Sequence, residues 1–302
     1  MSTRRETLLF VLLAMLWGTS FVAIKAGLED LPPVLFAAIR YDLAGVLMLA
    51  YAAVATDDWL PRSQADWVAV AISATLVIAL YNAFLFVGEQ DVTSAVAAIL
   101  IATNPILATA FSRALLPNER LSTVGTAGLV LGFVGVVLVT RPDVTGGLSA
   151  ELVASGFVLL AALSIALGSV LLQRVDSGLG TEGLVAWSNG VGAVLLHAIS
   201  RALPNESLGG MTLTAESVVA IVYLAVFASV IGYFVYFRLL DRLGAIQINL
   251  VSYATPVFAA VTGWLLLEET IDATTVTGFL VVLVGFLLLK RDAIREELAA
   301  LR

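Results

Sequence analysis

Two charged side chains, Arg40 and Asp42, stand well inside an otherwise apolar stretch. Arg40 follows Pro33 by seven residues, about 10 Å along a helix that rises 1.5 Å per residue. An arginine at the centre of a membrane helix costs about 2.5–3.5 kcal/mol on insertion scales, so it should face a partner or a wet cavity. Its guanidinium suits a solute carboxylate or phosphate. The alternative is an ion pair that pins the outer helix ends, with Glu29, Glu89 or Asp91.

Two residues are candidates for carrying a coupling proton. Asp42 does so if its neighbours raise its pKa, but at two residues from Arg40 it lies on another helix face and favours packing against protein. His197, the single histidine, titrates in the physiological range. A lone histidine among apolar residues is more often a hydrogen-bonded structural residue.

Polar and aromatic side chains recur inside other apolar stretches, where lipid penalises them and most should face inward. Together with Arg40, the candidates for substrate binding are Trp17, Tyr81, Asn82, Asn104, Tyr233, Ser252 and Tyr253. Aromatic groups in a cavity suit an amphipathic solute.

Pro105 and Pro256 are candidate hinges in the middle of two predicted spans. Each removes one helical hydrogen bond and frees a carbonyl, that of Ile101 or Ser252. Either proline alone favours a plain packing kink, but two at matching positions favour a hinge or a cavity wall.

The composition predicts a membrane protein. The chain has 302 residues, of which 60% are hydrophobic and 13% charged, against about 45–50% and about 25% in soluble domains. No cysteine and one histidine argue against thiol, iron–sulfur and zinc chemistry, so we expect no metal, no cofactor and no catalytic residues. The net charge of −7 argues against nucleic-acid partners.

Apolar windows long enough to cross a bilayer of about 30 Å predict an all-α integral membrane protein with ten transmembrane helices. The predicted spans are 7–25, 33–54, 67–88, 93–115, 122–140, 151–173, 182–203, 216–238, 244–267 and 273–290.

Basic residues predict the orientation. With the N-terminus inside, twelve lie in inner segments: Arg4, Arg5, Arg62, Arg113, Arg120, Arg174, Arg238, Arg242, Lys290, Arg291, Arg295 and Arg302. Three lie in outer segments: Lys25, Arg141 and Arg201. This bias predicts a multi-pass protein of the cytoplasmic membrane with both termini in the cytoplasm.

The two halves of the sequence resemble each other at an offset of 150, which aligns Glu119 with Glu269 and Gly135 with Gly285. The predicted repeats are 1–145 and 146–302, the second ending in a short charged cytoplasmic tail. Because each holds five helices, an odd number, the second copy enters the membrane from the opposite side. Such inverted repeats are typical of secondary transporters with alternating access.

Glycines at positions 125, 128, 132 and 135 share one face of the fifth span, and Gly278 and Gly285 repeat part of this in the tenth. Small residues let helices approach closely. The pattern favours packing within the chain, with a homodimer interface as the alternative.

The motifs and their order resemble the EamA type of the drug/metabolite transporter superfamily over essentially the whole chain. The resemblance rests on Leu16-Trp17-Gly18 in the first span, on Pro33 with Arg40, on Asn104-Pro105 followed by Glu119, and on their echoes Thr255-Pro256 and Glu268-Glu269. It implies a central cavity lined mainly by helices 1, 3, 4, 6, 8 and 9, with helices 5 and 10 peripheral.

We therefore expect a secondary transporter that moves a small organic solute, an amino acid or related metabolite or a drug-like compound, through a cavity between the repeats. The alternatives are a scaffold or receptor, which would lack an aqueous cavity, and an intramembrane enzyme. The enzyme would need a nucleophile with a base or a metal cluster at membrane depth.

Overall fold

The computed structural model describes residues 3–115, 123–141, 148–204, 206–207, 209 and 211–291. All regular elements in these residues are helical, and ten of the helices are apolar. Two sequence predictions lie outside them: the position of Glu119 and the charged tail at 292–302.

The ten helices confirm the predicted number of spans. They are α1 (Thr3–Gly27), α2 (Pro33–Ala55), α3 (Gln64–Gly88), α4 (Ser94–Leu115), α5 (Thr123–Thr140), α6 (Ala150–Leu172), α7 (Thr181–Ala202), α8 (Ala215–Asn249), α9 (Val251–Leu267) and α10 (Ala273–Leu289). Eight are long and apolar enough to span a bilayer, and α9 and α10 are shorter apolar helices.

Helix α8 is longer, and α9 shorter, than predicted. The helical backbone of α8 continues to residue 249, and a turn at Leu250 precedes α9, which was expected to begin at 244. Leu239 and Ile248 explain the extension, because both are buried against Leu13 and Ala14 of α1. Apolar packing against α1 therefore carries α8 past the predicted end of the span.

Two helices change their winding at equivalent points of the repeat. In α3 the segment Ser73–Leu80 is π-helical, and in α8 the segment Tyr223–Ile231 is π-helical. Their first residues are separated by the same offset of 150 that relates the two halves of the sequence. Such π-helical segments are rare and frequently occur at functional sites.

Helices at equivalent positions in the two halves pack together and run in opposite directions. In α5 and α10, Gly128 lies against the carbonyl of Gly285, and Gly135 lies against that of Gly278, so one numbering rises as the other falls. Helices α2 and α7 are antiparallel in the same way, with Asp42 beside His197 and Gly45 beside Gly190. This geometry confirms two inverted five-helix repeats.

The glycine face of α5 is occupied within the chain. A Cβ on Gly135 would lie 2.8 Å from the carbonyl oxygen of Gly278 and 2.8 Å from the amide nitrogen of Val282, both backbone atoms. The close approach of α5 and α10 therefore requires a residue without a side chain at this position. The structure supports the interpretation that the glycine face packs within the chain.

We expect Gly135→Ala to lower the stability of the bundle, because the added methyl group meets backbone that cannot rotate away. Overpacking of this kind typically costs about 1–3 kcal/mol. The measurement is the apparent melting temperature of the detergent-solubilised protein.

The matched control is Gly156→Ala in α6, where an added Cβ meets nothing within 4 Å. That variant should be neutral or slightly stabilising, since alanine is the better helix former. Equal melting temperatures for the two variants would contradict the packing argument.

Candidate functional site

A cavity of about 520 Å³ lies at the centre of the bundle. Its walls come from α1, α3, α4, α6, α8 and α9, the helices that the resemblance implies, with additions from α2 and α7. Neither α5 nor α10 contributes a lining residue. Both π-helical segments do, through Ser73 and Val77 in α3 and through Ala228 and Ser229 in α8.

The cavity reaches one end of the bundle. Its lining includes Leu172 at the end of α6, and Thr181 and Leu184 at the start of α7. Thr181 is exposed. We call this the open end, which also contains the α2–α3 connection, because the amide of Gly180 donates to the carbonyl of Asp58.

The opposite end, which we call the closed end, is formed by the α1–α2, α3–α4, α7–α8 and α9–α10 connections. The cavity lining on this side stops at Ile24, Leu85 and Ala98. Beyond them the ammonium of Lys25 donates to three backbone carbonyls, those of Glu89 at 3.0 Å, Gln90 at 2.6 Å and Val92 at 3.1 Å.

Carboxylates of the second half fasten two helix N-termini at the closed end. Glu206 accepts hydrogen bonds from the amides of Val34 (2.9 Å) and Leu35 (2.8 Å) at the start of α2. Glu269 accepts from the amide and hydroxyl of Ser94 at the start of α4. A carboxylate is favoured at a helix N-terminus, where free amides and the helix dipole attract negative charge.

Arg40 lines the cavity and is 9% exposed. Its Nη1 donates to Oδ1 of Asn82 at 3.3 Å, and its guanidinium lies 4.7 Å from the ring centre of Tyr41. Its Nε has no hydrogen-bond partner. Among the described residues the guanidinium forms no ion pair, so the predicted alternative of a pair with Glu29, Glu89 or Asp91 is not what the structure shows.

An aromatic wall faces this part of the cavity. Trp17 Nε1 donates to the carbonyl of Ala228 at 3.1 Å, and its ring lies 5.6 Å from Tyr236 and 6.3 Å from Tyr233. Tyr233 in turn stacks on Phe237 at 5.8 Å. The wall combines large apolar faces with hydroxyl groups, a combination that suits an amphipathic ligand.

Of the eight predicted binding residues, six line the cavity: Trp17, Arg40, Tyr81, Asn104, Tyr233 and Ser252. Asn104 Oδ1 has no hydrogen-bond partner among the described residues, which leaves a buried acceptor available to a solute. Ile101 also lines the cavity, and its carbonyl is the one that Pro105, one turn later, leaves without an amide donor.

Two predicted binding residues lie outside the lining. Asn82 is fully buried behind Arg40, where its amide nitrogen donates to the Tyr41 hydroxyl and to the carbonyl of Ile78. It positions the guanidinium rather than reaching the cavity. Tyr253 packs 4.4 Å from the ring of Phe286 in a cluster between α4, α9 and α10.

The two prolines are not lining residues. Pro105 follows a break in α4 at residues 102–103, so it starts the second half of that helix. Pro256 is buried six residues into α9, and Thr255 Oγ1 hydrogen-bonds the carbonyl of Val251 beside it. The break in α4 gives Pro105 the geometry expected of a hinge, and hinge motion for both stays a prediction.

The two candidates for proton coupling lie away from the cavity. His197 Nε2 is 2.8 Å from Asp42 Oδ2 across the α2–α7 contact, and their side chains are 40% and 53% exposed. Since both helices are membrane spans, this pair sits on the outer surface of the bundle. The expectation that Asp42 packs against protein is wrong. Its side chain is exposed on the lipid-facing side of the bundle, where it pairs with His197.

The predicted binding residues do not include several residues that line the cavity, among them Tyr41, Tyr236 and Phe237. Tyr41 adjoins Arg40, and Tyr236 follows Tyr233 at helical spacing, so both carried a usable signal.

A larger crevice of about 760 Å³ opens at the closed end beside α3 and α7. Its lining is mainly apolar. Of its three carboxylates, Glu206 already holds the start of α2 and Asp30 accepts from the Thr214 hydroxyl, so we favour the central cavity as the functional site.

The chain belongs to the EamA-like transporter family, whose model matches it twice, at residues 5–141 and 152–291. It is a multi-pass membrane protein of a transporter family within the drug/metabolite transporter superfamily. The two matches fall on the two halves that the internal repeat relates.

Named relatives are transporters too. The chain is 26% identical over 302 residues to the uncharacterized transporter YvbV of Bacillus subtilis, covering 98% of this chain and 95% of that protein. It is 29% identical over 279 residues to the uncharacterized inner membrane transporter YedA of Escherichia coli K12, covering 90% and 88%.

A plant relative and a solved structure are also similar. The chain is 31% identical over 277 residues to the chloroplastic WAT1-related protein At3g02690 of Arabidopsis thaliana, covering 90% of this chain and 66% of the plant protein. A crystal structure matches with a TM-score of 0.65 and 22% identity, covering 98% of this chain and 100% of that one. That match shows the fold alone.

We expect a cysteine at Ser169, which lines the cavity in α6, to react readily with water-soluble thiol reagents. A cysteine at Ala95, which is buried beyond the closed end of the cavity, should react far more slowly. The chain has no native cysteine, so the two rates can be compared by maleimide labelling without background. Equal rates at both positions would contradict a cavity with one accessible end.

Proposed function

We propose that the protein is a secondary transporter that moves a small organic solute through the central cavity by alternating access. One observation carries the proposal: the cavity lies between two inverted repeats, reaches one end of the bundle and is blocked at the other. Exchanging the arrangements of two inverted halves closes the open end and opens the closed one. A scaffold or receptor needs no such cavity.

The lining supports a solute with an anionic group. A guanidinium without an ion pair at membrane depth is unfavourable, and a bound carboxylate would compensate it. The aromatic wall of Trp17, Tyr233 and Tyr236 accommodates an apolar portion, and Asn104 offers an acceptor to an N–H or O–H group. An amino acid or related carboxylate metabolite satisfies all three features, and a drug-like acid is the alternative within the same class.

We further propose that both termini are cytoplasmic, so that the open end faces the cytoplasm and the structure is an inward-facing state. The bias of basic residues toward the open end supports this orientation. The units that rock are then the two repeats, 1–145 and 146–302, in the cytoplasmic membrane.

The test of solute binding is counterflow in proteoliposomes against a panel of amino acids and other carboxylates. We expect Arg40→Ala to weaken the apparent affinity for anionic solutes about ten- to a hundredfold, since a hydrogen bond to a charged group is worth about 1.5–3 kcal/mol. Arg40→Lys keeps the charge but loses the two-pronged geometry, so its effect should be smaller.

The control is Arg201→Ala, which removes an exposed arginine at the end of α7, outside the cavity lining. Its flux should match that of the unmodified protein. Equal loss in both variants, or saturable flux that does not depend on Arg40, would overturn the solute role of Arg40.

The orientation is tested by single cysteines in intact cells. We expect a cysteine at exposed Glu29, at the closed end, to react with membrane-impermeant reagents from outside the cell. A cysteine at exposed Arg62, at the open end, should react only after the membrane is permeabilised. The reverse pattern would show that the termini are outside.

A further inference from the structure

Glu89 is a buried acid in a part of the chain that the sequence assigns to an exposed loop. It directly follows Gly88, the last residue of the spanning helix α3. Its exposed fraction is 0%, and neither carboxylate oxygen has a hydrogen-bond partner among the described residues. The acidic residue two positions later, Asp91, is exposed.

The charged groups around Glu89 are engaged elsewhere. The Lys25 ammonium of α1 is bound to three backbone carbonyls, one of them the carbonyl of Glu89 itself. The Glu269 carboxylate holds the start of α4. The Arg40 guanidinium of α2 donates to Asn82. All three act on Glu89 through space, and none donates a hydrogen bond to it.

Burial raises the pKa of the Glu89 carboxyl well above its usual range. Lys25 acts against this rise, Glu269 adds to it, and Arg40 acts against it. An ionised carboxylate without hydrogen bonds in a dry site is strongly unfavourable, so such a group takes up a proton instead. Opening of the closed end would hydrate the carboxyl and remove the penalty on its charge.

We propose that Glu89 is a proton-binding site that controls the closed end: its protonated form holds this end shut, and its ionised form favours opening. The proposal rests on the proposed transporter function, because it assigns the closed end to the alternating cycle. Linkage gives the sign. A proton that binds more tightly to the closed state stabilises that state at low pH, and its loss as the pH rises favours the open state.

The proton of Glu89 enters and leaves from one side of the membrane. The cavity lining stops at Ile24, Leu85 and Ala98 and does not include Glu89, so the open end gives the carboxyl no aqueous route in this state. Glu89 therefore senses the pH of the compartment at the closed end and does not carry a proton across. Its role differs from the coupling predicted for Asp42 and His197.

The test measures opening of the closed end directly and needs no substrate. The reporter is Val92→Cys, at a side chain that is 4% exposed beside the Lys25 contact. The full-length protein is placed in lipid nanodiscs, where both ends meet the buffer. At each pH, the maleimide labelling rate of Val92→Cys is divided by the labelling rate of Gln90→Cys. Gln90 is an exposed neighbour, so this division corrects for the change of thiol reactivity with pH.

With Glu89 present, the normalised rate should rise as the pH is raised from mildly acidic to mildly alkaline. Each unit of difference in the pKa of Glu89 between the closed and open states changes the opening equilibrium about tenfold. Glu89→Gln mimics the protonated acid, so its rate should stay low at every pH. Asp91→Asn, the matched control, removes a nearby exposed acid and should keep the full pH dependence.

Glu89→Asp is the second variant, because it retains a carboxyl group if the glutamine variant fails to fold. It should still show a rate that increases with pH. The proposal is overturned if the labelling rate of Glu89→Gln still depends on pH. It is also overturned if the rate does not depend on pH in the protein with Glu89 or in Glu89→Asp. Because labelling is independent of solute flux, loss of the pH dependence in a protein that still transports refutes the proton site and leaves the transporter function standing.

Discussion

The absence of water from the bilayer core governs the arrangement of this molecule. Every polar group in a spanning helix must meet another protein group or a cavity, because lipid offers neither donor nor acceptor. Helices α5 and α10 contribute nothing to the cavity and pack through their glycines. Where polar groups do face lipid, as Asp42 and His197 do, they pair with each other. Other polar groups, among them Arg40, Asn104 and Ser252, turn inward and line the central cavity.

Two of the contacts that form the closed end join the two halves of the chain. Glu206 and Glu269 both belong to the second half, and each satisfies the free amides at the start of a first-half helix, α2 or α4. Separating the halves at this end would expose those amides and carboxylates to water, where both are well solvated. These contacts are therefore compatible with the proposed alternating access, in which the same end must also be able to open.

Much of the fold could be predicted because its signals are local or periodic. Apolar runs gave the ten spans, and the matched glycines revealed the repeat. The π-helical segments in α3 and α8 could not be predicted, because a π-helical turn produces no hydrophobic periodicity of its own in the sequence. The continuation of α8 depends on Leu239 and Ile248 meeting α1, which is tertiary packing. Asn82 and Tyr253 carried the right chemistry for a site, yet the rotation of their helices directs them into protein.

In the proposed transport cycle, Glu89 and Arg40 would link the solute site to the closed end. The positive charge of Arg40 favours the ionised form of Glu89, and the same charge would attract an anionic solute. A bound anion offsets that charge, so it raises the pKa of Glu89 further and stabilises the protonated, closed state. By reciprocity, a proton on Glu89 removes a competing negative charge and strengthens binding of the anion. Under this proposal, solute binding at the open end and closure of the opposite end would reinforce each other, which would prevent the cavity from opening to both compartments at once.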